Sequence, residues 1–346
     1  MPAYKNILII RLSAMGDVAM TVPVIASFVK KYPDVRVTIL SNPRFEGMFT
    51  GIENVCFTGA DTKKRHKGLK GIFTLFKDLT SNGKFDAVFD LHDVLRSKVL
   101  RTLFRLKHVP IFVVQKRRRE KKELTRSKNK KIVQLKSSIE SYREVFEKAG
   151  FNFPIDFSGL FGKDAGLPEN IRRVLAAKEG KWLAIAPFAK HPGKIYPLEK
   201  MKTVVEYFTK KEGFRILLFG GGDSETKILE EWQENFPNVI SLSGKFQLTE
   251  ELQILNQSDA LISMDSANMH LASLVKTPVI SVWGATHPFA GFYGFNQSAD
   301  NIIQTDLPCR PCSVYGNKAC RRKDYACMNM IQPEEIIRRT EYFWNY

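Results

Sequence analysis

Short apolar runs alternate with longer stretches of mixed polarity along most of the chain. The runs NILIIRL, VRVTILS and FDAVFDLH are largely apolar, as in strands that are buried inside a parallel sheet. The stretches VAMTVPVIASFVKKY and LRSKVLRTLFRL follow two of these runs and are typical of helices. The alternation predicts an α/β fold, in which helices cover the faces of a parallel sheet.

The same alternation restarts near Lys181. WLAIAPFA is the next predicted strand, and KMKTVVEYFTKKEG is the helix that follows it. FRILLFGGG is a strand that runs into a glycine turn, and DALISMDS is a further strand. The restart predicts a second α/β domain behind the first.

We therefore expect two tandem domains that are joined by a segment rich in glycine and proline. The first spans residues 1–160 and the second spans residues 178–330. The length is sufficient for each domain to bury its own core. Residues 331–346 are aromatic and amphipathic, and we expect them to form a helix that packs back toward the first domain.

The hydropathy pattern also bears on where the protein resides. No apolar run approaches the roughly 20 residues that a transmembrane helix needs. The apolar run at the start is short, contains Arg11 and merges into the first predicted domain, unlike a secretory signal. We expect a cytoplasmic protein.

The formal net charge of +17 is high for 346 residues. Such an excess favours a polyanionic partner, which is nucleic acid, an anionic membrane face or a phosphorylated substrate. Lysine and arginine are densest in residues 115–138 and again in residues 63–71. A mobile, solvated surface is the commoner explanation for such runs, and the second run adds some support for docking onto the phosphates of a shared partner.

Four of the five cysteines lie close together near the C-terminus. These four are Cys309, Cys312, Cys320 and Cys327. Clustered thiols in a reducing compartment favour metal binding over disulfides, and the C-x₂-C spacing is compatible with a structural zinc site. Reduced, packed thiols explain the same residues equally well, so both interpretations stay open.

The loop RLSAMGDV follows the first predicted strand. Ligands bind at the carboxyl edge of open α/β sheets, where such loops lie. Gly16 would permit a tight turn, and Asp17 would lie where the next helix begins. Spacing alone favours Asp17 as a helix cap, and a carboxylate at a cleft edge could instead act as a general base.

A second candidate loop is the start of DSANMHLASLVK. Asp265 and Ser266 end a predicted strand just before a helix. The backbone amides of Ser266, Ala267 and Asn268 would suit a phosphate group at the helix N-terminus. Capping is the alternative for Asp265 and Ser266, and a lone histidine such as His270 is more often a buried core residue.

Two further loops of the second domain carry charged candidates. Lys190 and Lys194 follow its first strand, where either could neutralise a phosphate leaving group or be an ordinary surface lysine. The glycines around Gly221 would allow a ligand to approach the backbone. Glu225 could accept hydrogen bonds from ribose hydroxyls, or simply be a first-turn glutamate that the helix dipole favours.

In combination, these motifs resemble the bacterial heptosyltransferases of glycosyltransferase family 9. The resemblance covers most of the chain and rests on RLSAMGDV, KIYP, GGGDSE and DSANMHLASLVKTPVISVWGATHP, with CRPC near the C-terminus. It implies the GT-B fold, in which two Rossmann-like domains face each other across a cleft. It implies inverting transfer of a sugar, usually heptose, from an ADP-sugar to the inner core of lipopolysaccharide, without a bound metal.

The resemblance also implies roles for single residues. Asp17 matches the general base, which takes the proton of the acceptor hydroxyl. Lys194 matches a lysine that meets the diphosphate, Asp265 and His270 match a pair at the donor site, and Glu225 matches a glutamate on the nucleotide side.

The chain departs from the family pattern at three places, one of which is the basic insert at residues 115–138, which is heavier than usual for the family. Ser266 and Ala267 stand where the family often has Thr-Gly, and Tyr196 stands where it often has Trp. These departures leave the sugar and the acceptor hydroxyl open.

The partners expected from the resemblance are an ADP-sugar, the lipopolysaccharide core and the anionic inner face of the cytoplasmic membrane. Two alternatives remain. A nucleic-acid-binding protein is supported by charge alone, because no stacking-aromatic motif or recognition helix accompanies the basic runs, and we do not expect nucleic acid as a partner. A nucleotide-sugar epimerase would keep the fold and change the reaction.

Overall fold

The computed structural model describes residues 4–81, 83–162 and 165–344. The chain forms two compact units, each of which is assembled from two stretches of sequence. The first unit consists of Met1–Lys116 and Lys136–Ser158, and the second of Arg117–Leu135 and Gly159–Tyr346.

A parallel sheet of five strands forms the centre of the first unit. Its strands are β1 (Asn6–Ile10), β2 (Arg36–Ser41), β3 (Val55–Gly59), β4 (Ala87–Asp90) and β5 (Ile111–Val113). Their order in the sheet is β3-β2-β1-β4-β5, so β1 is central and pairs with β2 and β4. Ile7 to Ile10 are fully buried, which explains why this strand is apolar on both faces.

Helices cover this sheet as the sequence predicts. They are α1 (Met15–Ala19), α2 (Val22–Lys31), α3 (Gly68–Ser81), α4 (Leu95–Arg105) and α6 (Ser138–Lys148). One expectation was wrong, because Gly16 lies inside α1 and does not form a tight turn. The chain enters the helix directly at Met15, so no residue there needs a positive φ.

A parallel sheet of six strands forms the centre of the second unit. Its strands are β6 (Lys181–Ala186), β7 (Phe214–Leu218), β8 (Val239–Ser241), β9 (Ala260–Met264), β10 (Val279–Trp283) and β11 (Ile302–Gln304). Their order is β11-β10-β9-β6-β7-β8. The central strands β6 and β9 pair with each other, so the loops that follow them leave the sheet side by side.

Eight helices are described in the second unit. They are α5 (Arg118–Thr125), α7 (Glu169–Leu175), α8 (Leu198–Thr209), α9 (Asp223–Asn235), α10 (Leu248–Gln257), α11 (Ala267–Leu274), α12 (Ala326–Asn329) and α13 (Pro333–Glu341). None of the helices in the described ranges of either unit is both long enough and apolar enough to cross a membrane.

The final helix lies elsewhere than the sequence led us to expect. We expected it to pack back toward the first domain, and α13 instead packs against α8 of the second unit. Ile336 and Ile337 join the hydrophobic core of that unit, and the hydroxyl of Tyr207 donates a hydrogen bond of 2.7 Å to Glu341. The apolar stripe of the helix therefore has its partner within its own unit.

The basic segment 117–135 is folded, although its composition is typical of a mobile surface. Leu124 is fully buried, and the backbone N–H of Leu135 donates to the carbonyl of Phe289. The ammonium group of Lys121 lies 4.3 Å from the centroid of the Phe292 ring, which is close enough for a cation–π interaction. These contacts place the segment in the second unit. We expected every residue before about 160 to belong to the first domain, so the segment departs from that boundary.

Candidate active site

Asp17 lies just beyond the carboxyl end of β1, in the first turn of α1. Its carboxylate accepts a hydrogen bond of 3.4 Å from the backbone N–H of Ala14, the residue that precedes the helix. The side chain keeps 30% of its surface exposed. Asp17 therefore satisfies one N–H group at the start of the helix and remains accessible to a ligand.

Arg11 fixes the carboxylate of Asp17. One guanidinium nitrogen of Arg11 lies 2.7 Å from Oδ2 of Asp17, and another donates to the carbonyl of Leu91 at 2.7 Å. The guanidinium also lies 5.7 Å from the centroid of the Tyr142 ring. Because Arg11 is buried, water competes little for its contact with Asp17, and the carboxylate is held in one orientation.

The loop that follows β4 lies beside the Asp17 loop, since β4 pairs with β1. Nδ1 of His92 accepts a hydrogen bond of 3.3 Å from the backbone N–H of Leu12, so the ring proton belongs on Nε2. Burial lowers the pKa of His92 to about 3, and the charges of Arg11 and Lys116 add to this effect. His92 is therefore a neutral donor at physiological pH.

Asp90 fixes the conformation of this loop through hydrogen bonds and an ion pair. One of its carboxylate oxygens accepts the backbone N–H groups of His92 and Asp93, at 2.9 and 2.8 Å. The other oxygen lies 2.7 Å from the guanidinium of Arg101. Asp90 is fully buried and compensated on both oxygens, which indicates a structural role.

In the second unit, Lys194 and Asp265 come together at the carboxyl edge of the sheet. Lys194 ends a short 3₁₀ turn after β6, and Asp265 directly follows β9. The ammonium group of Lys194 lies 2.9 Å from Oδ2 of Asp265. The hydroxyl of Thr286, in the loop after β10, donates to the same oxygen at 2.8 Å. Lys190 is exposed on the preceding loop.

The next turn places the N-terminus of α11 at the same edge. Ser266 is the residue before the helix, and its hydroxyl lies 3.2 Å from that of Ser263 instead of capping the helix. The backbone amides of Ala267 and Asn268 begin the helix, where N–H groups lack helical partners. His270 is buried further along α11, as expected for a histidine on an apolar helix.

The glycine turn after β7 is closed by Glu225. Oε2 of Glu225 accepts a hydrogen bond of 2.9 Å from the backbone N–H of Gly221. Gly222 precedes α9 with φ of +89°, a conformation that favours glycine. A Cβ at Gly221 would meet no atom within 4 Å, so this backbone borders open space. β7 pairs with β6, and Glu225 therefore shares the sheet edge with the Lys194 turn.

Arg310 fastens the loop that carries Thr286. Its buried guanidinium donates to the backbone carbonyls of Gly284, Thr305 and Thr286 and to the side chain of Gln304. The bond to the Thr286 carbonyl measures 3.0 Å. Arg310 thus acts on Asp265 through the position of Thr286.

The cysteines do not form the zinc site that their spacing allows. Within residues 4–81, 83–162 and 165–344, no group of three or more His, Cys, Asp or Glu side chains is arranged to hold a metal ion. Burial raises the pKa of Cys312, and it raises that of Cys327 to about 11, so both are neutral thiols at physiological pH when no metal is bound. The four cysteines line a cavity of about 90 Å³ together with Lys130 and Arg310.

The family described as "Glycosyltransferase family 9 (heptosyltransferase)" matches residues 72–322, which is more than half of the chain. The chain belongs to glycosyltransferase family 9. It is a glycosyltransferase, and the sequence resemblance to this family is confirmed.

Relatives with curated names and solved structures agree with this assignment. Lipopolysaccharide heptosyltransferase 3 of Escherichia coli strain K12 is 26% identical to this glycosyltransferase, and the alignment covers 94% of each chain. A glycosyltransferase family 9 structure from Veillonella parvula superposes with a TM-score of 0.76 at 19% identity and covers 98% of this chain and 97% of its own. The structure of E. coli ADP-heptose lps heptosyltransferase II gives a TM-score of 0.71 at 15% identity, with 98% of both chains covered.

The structural neighbours confirm the fold class. The glycosyltransferase consists of two Rossmann-like units of the GT-B fold, each with a parallel sheet. In each unit the candidate residues lie in loops or in the first turns of helices at the carboxyl edge of that sheet, which is the ligand-binding edge of open α/β folds.

Sequence reasoning missed Arg11, His92, Thr286 and Arg310. His92 and Asp90 end the run FDLH, so the rule that picked out Asp265 after its strand would also have found them. Arg11 and Thr286 lie in RLSAMGDV and GATHP, two stretches that carry the family resemblance, but those motifs do not show what the two side chains contact. Their partners depend on which strands are neighbours, and the contact of Arg11 with Leu91 joins residues 80 positions apart.

Proposed function

We propose that this glycosyltransferase transfers heptose from ADP-heptose to the inner core of lipopolysaccharide, with inversion at the anomeric carbon and without a metal. Lipopolysaccharide heptosyltransferase 3 of Escherichia coli, which aligns over 94% of both chains, is named for heptose transfer in lipopolysaccharide, and this name supports the proposal. The observation that supports the donor most strongly is the contact of Lys194 with Asp265 beside the N-terminus of α11.

This arrangement suits a nucleoside diphosphate group. Lys194 supplies a full positive charge, and the first amides of α11 supply N–H groups with the positive end of the helix dipole. Asp265 holds the ammonium group in place until a diphosphate arrives. When the bond between sugar and diphosphate breaks, this positive charge stabilises the ADP that leaves. A divalent cation has the same role in enzymes that use a metal for this purpose.

Asp17 is the proposed general base. It accepts the proton of the acceptor hydroxyl as that oxygen forms a bond to the anomeric carbon, and the bond from that carbon to the diphosphate breaks on the opposite face. Arg11 orients the carboxylate, which leaves its exposed edge for the hydroxyl. His92 stays neutral, so it adds no charge that would attract the carboxylate away from the substrate.

The remaining donor residues have supporting roles in this proposal. Glu225 accepts ribose hydroxyls, Ser266 and Ala267 present their amides, and His270 supports the α11 turn from within. We further propose that the enzyme contacts the anionic inner face of the cytoplasmic membrane, where its acceptor is anchored, and that nucleic acid is not a partner.

Replacement of Asp17 tests the proposal. We expect Asp17→Asn to lower kcat for transfer from ADP-heptose to a core acceptor by about 10²–10⁴-fold, because a positioned base contributes that much. The change keeps the size of the side chain, so ADP should still bind. The assay is release of ADP together with mass spectrometry of the acceptor.

The matched control is Asp34→Asn, which changes an exposed aspartate of the same unit and should leave kcat unaltered. If Asp17→Asn transfers heptose at the rate of the unaltered enzyme, the assigned base is wrong. If the unaltered enzyme converts the sugar of ADP-heptose to its epimer without an acceptor, the reaction is that of an epimerase.

A further inference from the structure

The helix α3 exposes two large apolar side chains. Leu69 is 64% exposed and Phe73 is 51% exposed, although apolar residues on the opposite side of the same helix, such as Ile72 and Leu75, are buried in the core. Leu69 and Phe73 are four residues apart and therefore share one face of the helix. An exposed apolar pair on an otherwise normal amphipathic helix indicates a contact surface.

Positive charge surrounds this pair. The exposed lysines of the preceding loop and of the helix itself are Lys63, Lys64, Lys67, Lys70 and Lys77. We call Leu69, Phe73 and these five lysines the α3 surface.

The two carboxylates of this stretch do not offset that charge on the outside. Asp61 accepts the backbone N–H groups of Lys63 and Lys64. Asp78 is bonded to Arg65 at 2.8 Å and to His66 at 3.1 Å, and the hydrogen bond from Arg65 lowers the pKa of Asp78. Both carboxylates therefore serve to fix the loop, and the lysines remain directed at solvent.

The α3 surface begins at the sheet edge that carries Asp17. The loop before α3 leaves β3 at its carboxyl end, and the Asp17 loop leaves β1 at the same edge. β3 and β1 are two strand positions apart, a separation of about 10 Å in a parallel sheet. The N-terminal end of α3 thus starts from the same edge of the sheet as the helix that carries the candidate base.

We propose that the α3 surface docks on an anionic lipid bilayer, with Leu69 and Phe73 inserted at the boundary of headgroups and acyl chains. Lysines attract anionic headgroups, and a face with aromatic and aliphatic side chains lies in that boundary. A soluble phosphate needs the lysines alone, and nucleic-acid bases stack on aromatic rings and not on an aliphatic side chain, so the exposed Leu69 beside Phe73 favours lipid. The inference rests on the proposed function and deepens it, since docking through α3 would hold the unit that carries Asp17 at the membrane where a lipid-anchored acceptor resides.

Sedimentation with lipid vesicles tests this inference on the full-length protein. Vesicles contain either phosphatidylcholine alone or phosphatidylcholine with one third phosphatidylglycerol. We expect binding to the anionic vesicles that weakens with added salt, and little binding to the neutral ones. Lys67→Gln/Lys70→Gln should weaken partition by about 25-fold, at roughly fivefold for each lysine. Leu69→Ser/Phe73→Ser should weaken it at least tenfold at the same salt concentration.

Matched controls change the same residue types elsewhere. Lys148→Gln/Lys227→Gln removes two exposed lysines outside the α3 surface, and Val174→Ser removes an apolar side chain that is 46% exposed on α7. Both controls should bind as the unaltered protein does. The inference is overturned if Leu69→Ser/Phe73→Ser binds anionic vesicles as well as the unaltered protein, or if the controls lose as much as the α3 variants. The inference is also overturned if single-stranded DNA displaces the protein from anionic vesicles more effectively than an excess of free anionic vesicles does.

A second assay separates this inference from the proposed function. Transfer to a deacylated, water-soluble core acceptor should proceed at the unaltered rate in both α3 variants, because their active-site loops are intact. The rate of transfer to the same acceptor anchored in vesicles should fall by the same factor as the partition of each variant onto the vesicles. If the unaltered protein binds vesicles through the α3 surface and transfers heptose to neither acceptor, the proposed function fails while the docking surface stands. If the α3 variants lose transfer to both acceptors equally, the docking surface fails.

Discussion

At the scale of single residues, His92 couples the loop beside Asp17 to pH. Burial and the nearby charges of Arg11 and Lys116 lower its pKa to about 3, whereas a histidine in the unfolded chain has a pKa near 6.5. On acidification the unfolded state therefore binds the proton first. The free energy of unfolding falls between about pH 6.5 and pH 3, by up to about 1.4 kcal/mol for each pH unit.

The variant His92→Gln removes this contribution. We expect a shallower loss of stability than in the unaltered protein as pH is lowered from 6.5 to 4, measured by urea unfolding at each pH. The exposed His108 provides the control, because His108→Gln should leave the slope unchanged. Parallel pH profiles for His92→Gln and the unaltered protein would show that His92 is not held neutral by the fold.

Residues whose importance follows from their own loop could be predicted from the sequence. Asp17 and Asp265 each follow an apolar run that reads as a strand, and the structure places both at the carboxyl edge of a sheet. Arg11 and Thr286 could not be found in this way. Thr286 reaches Asp265 because β9 and β10 are neighbours, and strand order is decided by packing over the whole unit.

At the scale of elements, the segment around Arg310 braces two loops of the proposed donor site, which are the turn that ends at Lys194 and the loop after β10. The backbone N–H groups of Cys312 and Ser313 donate to the carbonyl of Ala285, and the N–H of Ala285 donates to the carbonyl of Gly193. These bonds and those of Arg310 connect the C-terminal segment, the loop after β10 and the turn that ends at Lys194 in one continuous layer. If the proposed function holds, the segment positions the loops that bind the donor.

Replacement of Arg310 by lysine tests this brace. Lysine keeps the charge and cannot reach four acceptors in the plane of a guanidinium, so we expect a loss of about 2–5 kcal/mol in the free energy of unfolding. We also expect the KM for ADP-heptose to rise more than kcat falls. Arg321→Lys, on the exposed part of the same segment, should change stability by less than about 0.5 kcal/mol. Equal stability of the two variants would contradict the brace.

The elements themselves were predictable where their pattern was strong. Apolar runs located the central strands, whereas dense charge concealed the buried Leu124 and Leu135 of the basic segment. The amphipathic stripe of α13 predicted a helix and could not select its partner, because any apolar surface of matching shape satisfies such a stripe. In the structure this stripe packs against α8.

At the scale of the whole molecule, the proposed base and the proposed donor site belong to different units. Asp17 lies in the first unit, and Lys194 with Asp265 lies in the second. Substitutions at sites that share no partner act independently. Binding of ADP and chemistry at the acceptor should therefore be separable by mutation.

Calorimetric titration with ADP checks this separation. Asp17→Asn should bind ADP with a Kd within about twofold of the unaltered enzyme, although its transfer rate collapses. Lys194→Met should weaken ADP binding by about 10- to 100-fold, because a charge-assisted hydrogen bond to the diphosphate contributes roughly 1.5–3 kcal/mol. The double variant should show the Kd of Lys194→Met alone, since the two effects are independent. A tenfold loss of ADP affinity in Asp17→Asn would mean instead that the base contributes to donor binding, and the roles assigned to the two units would have to be merged.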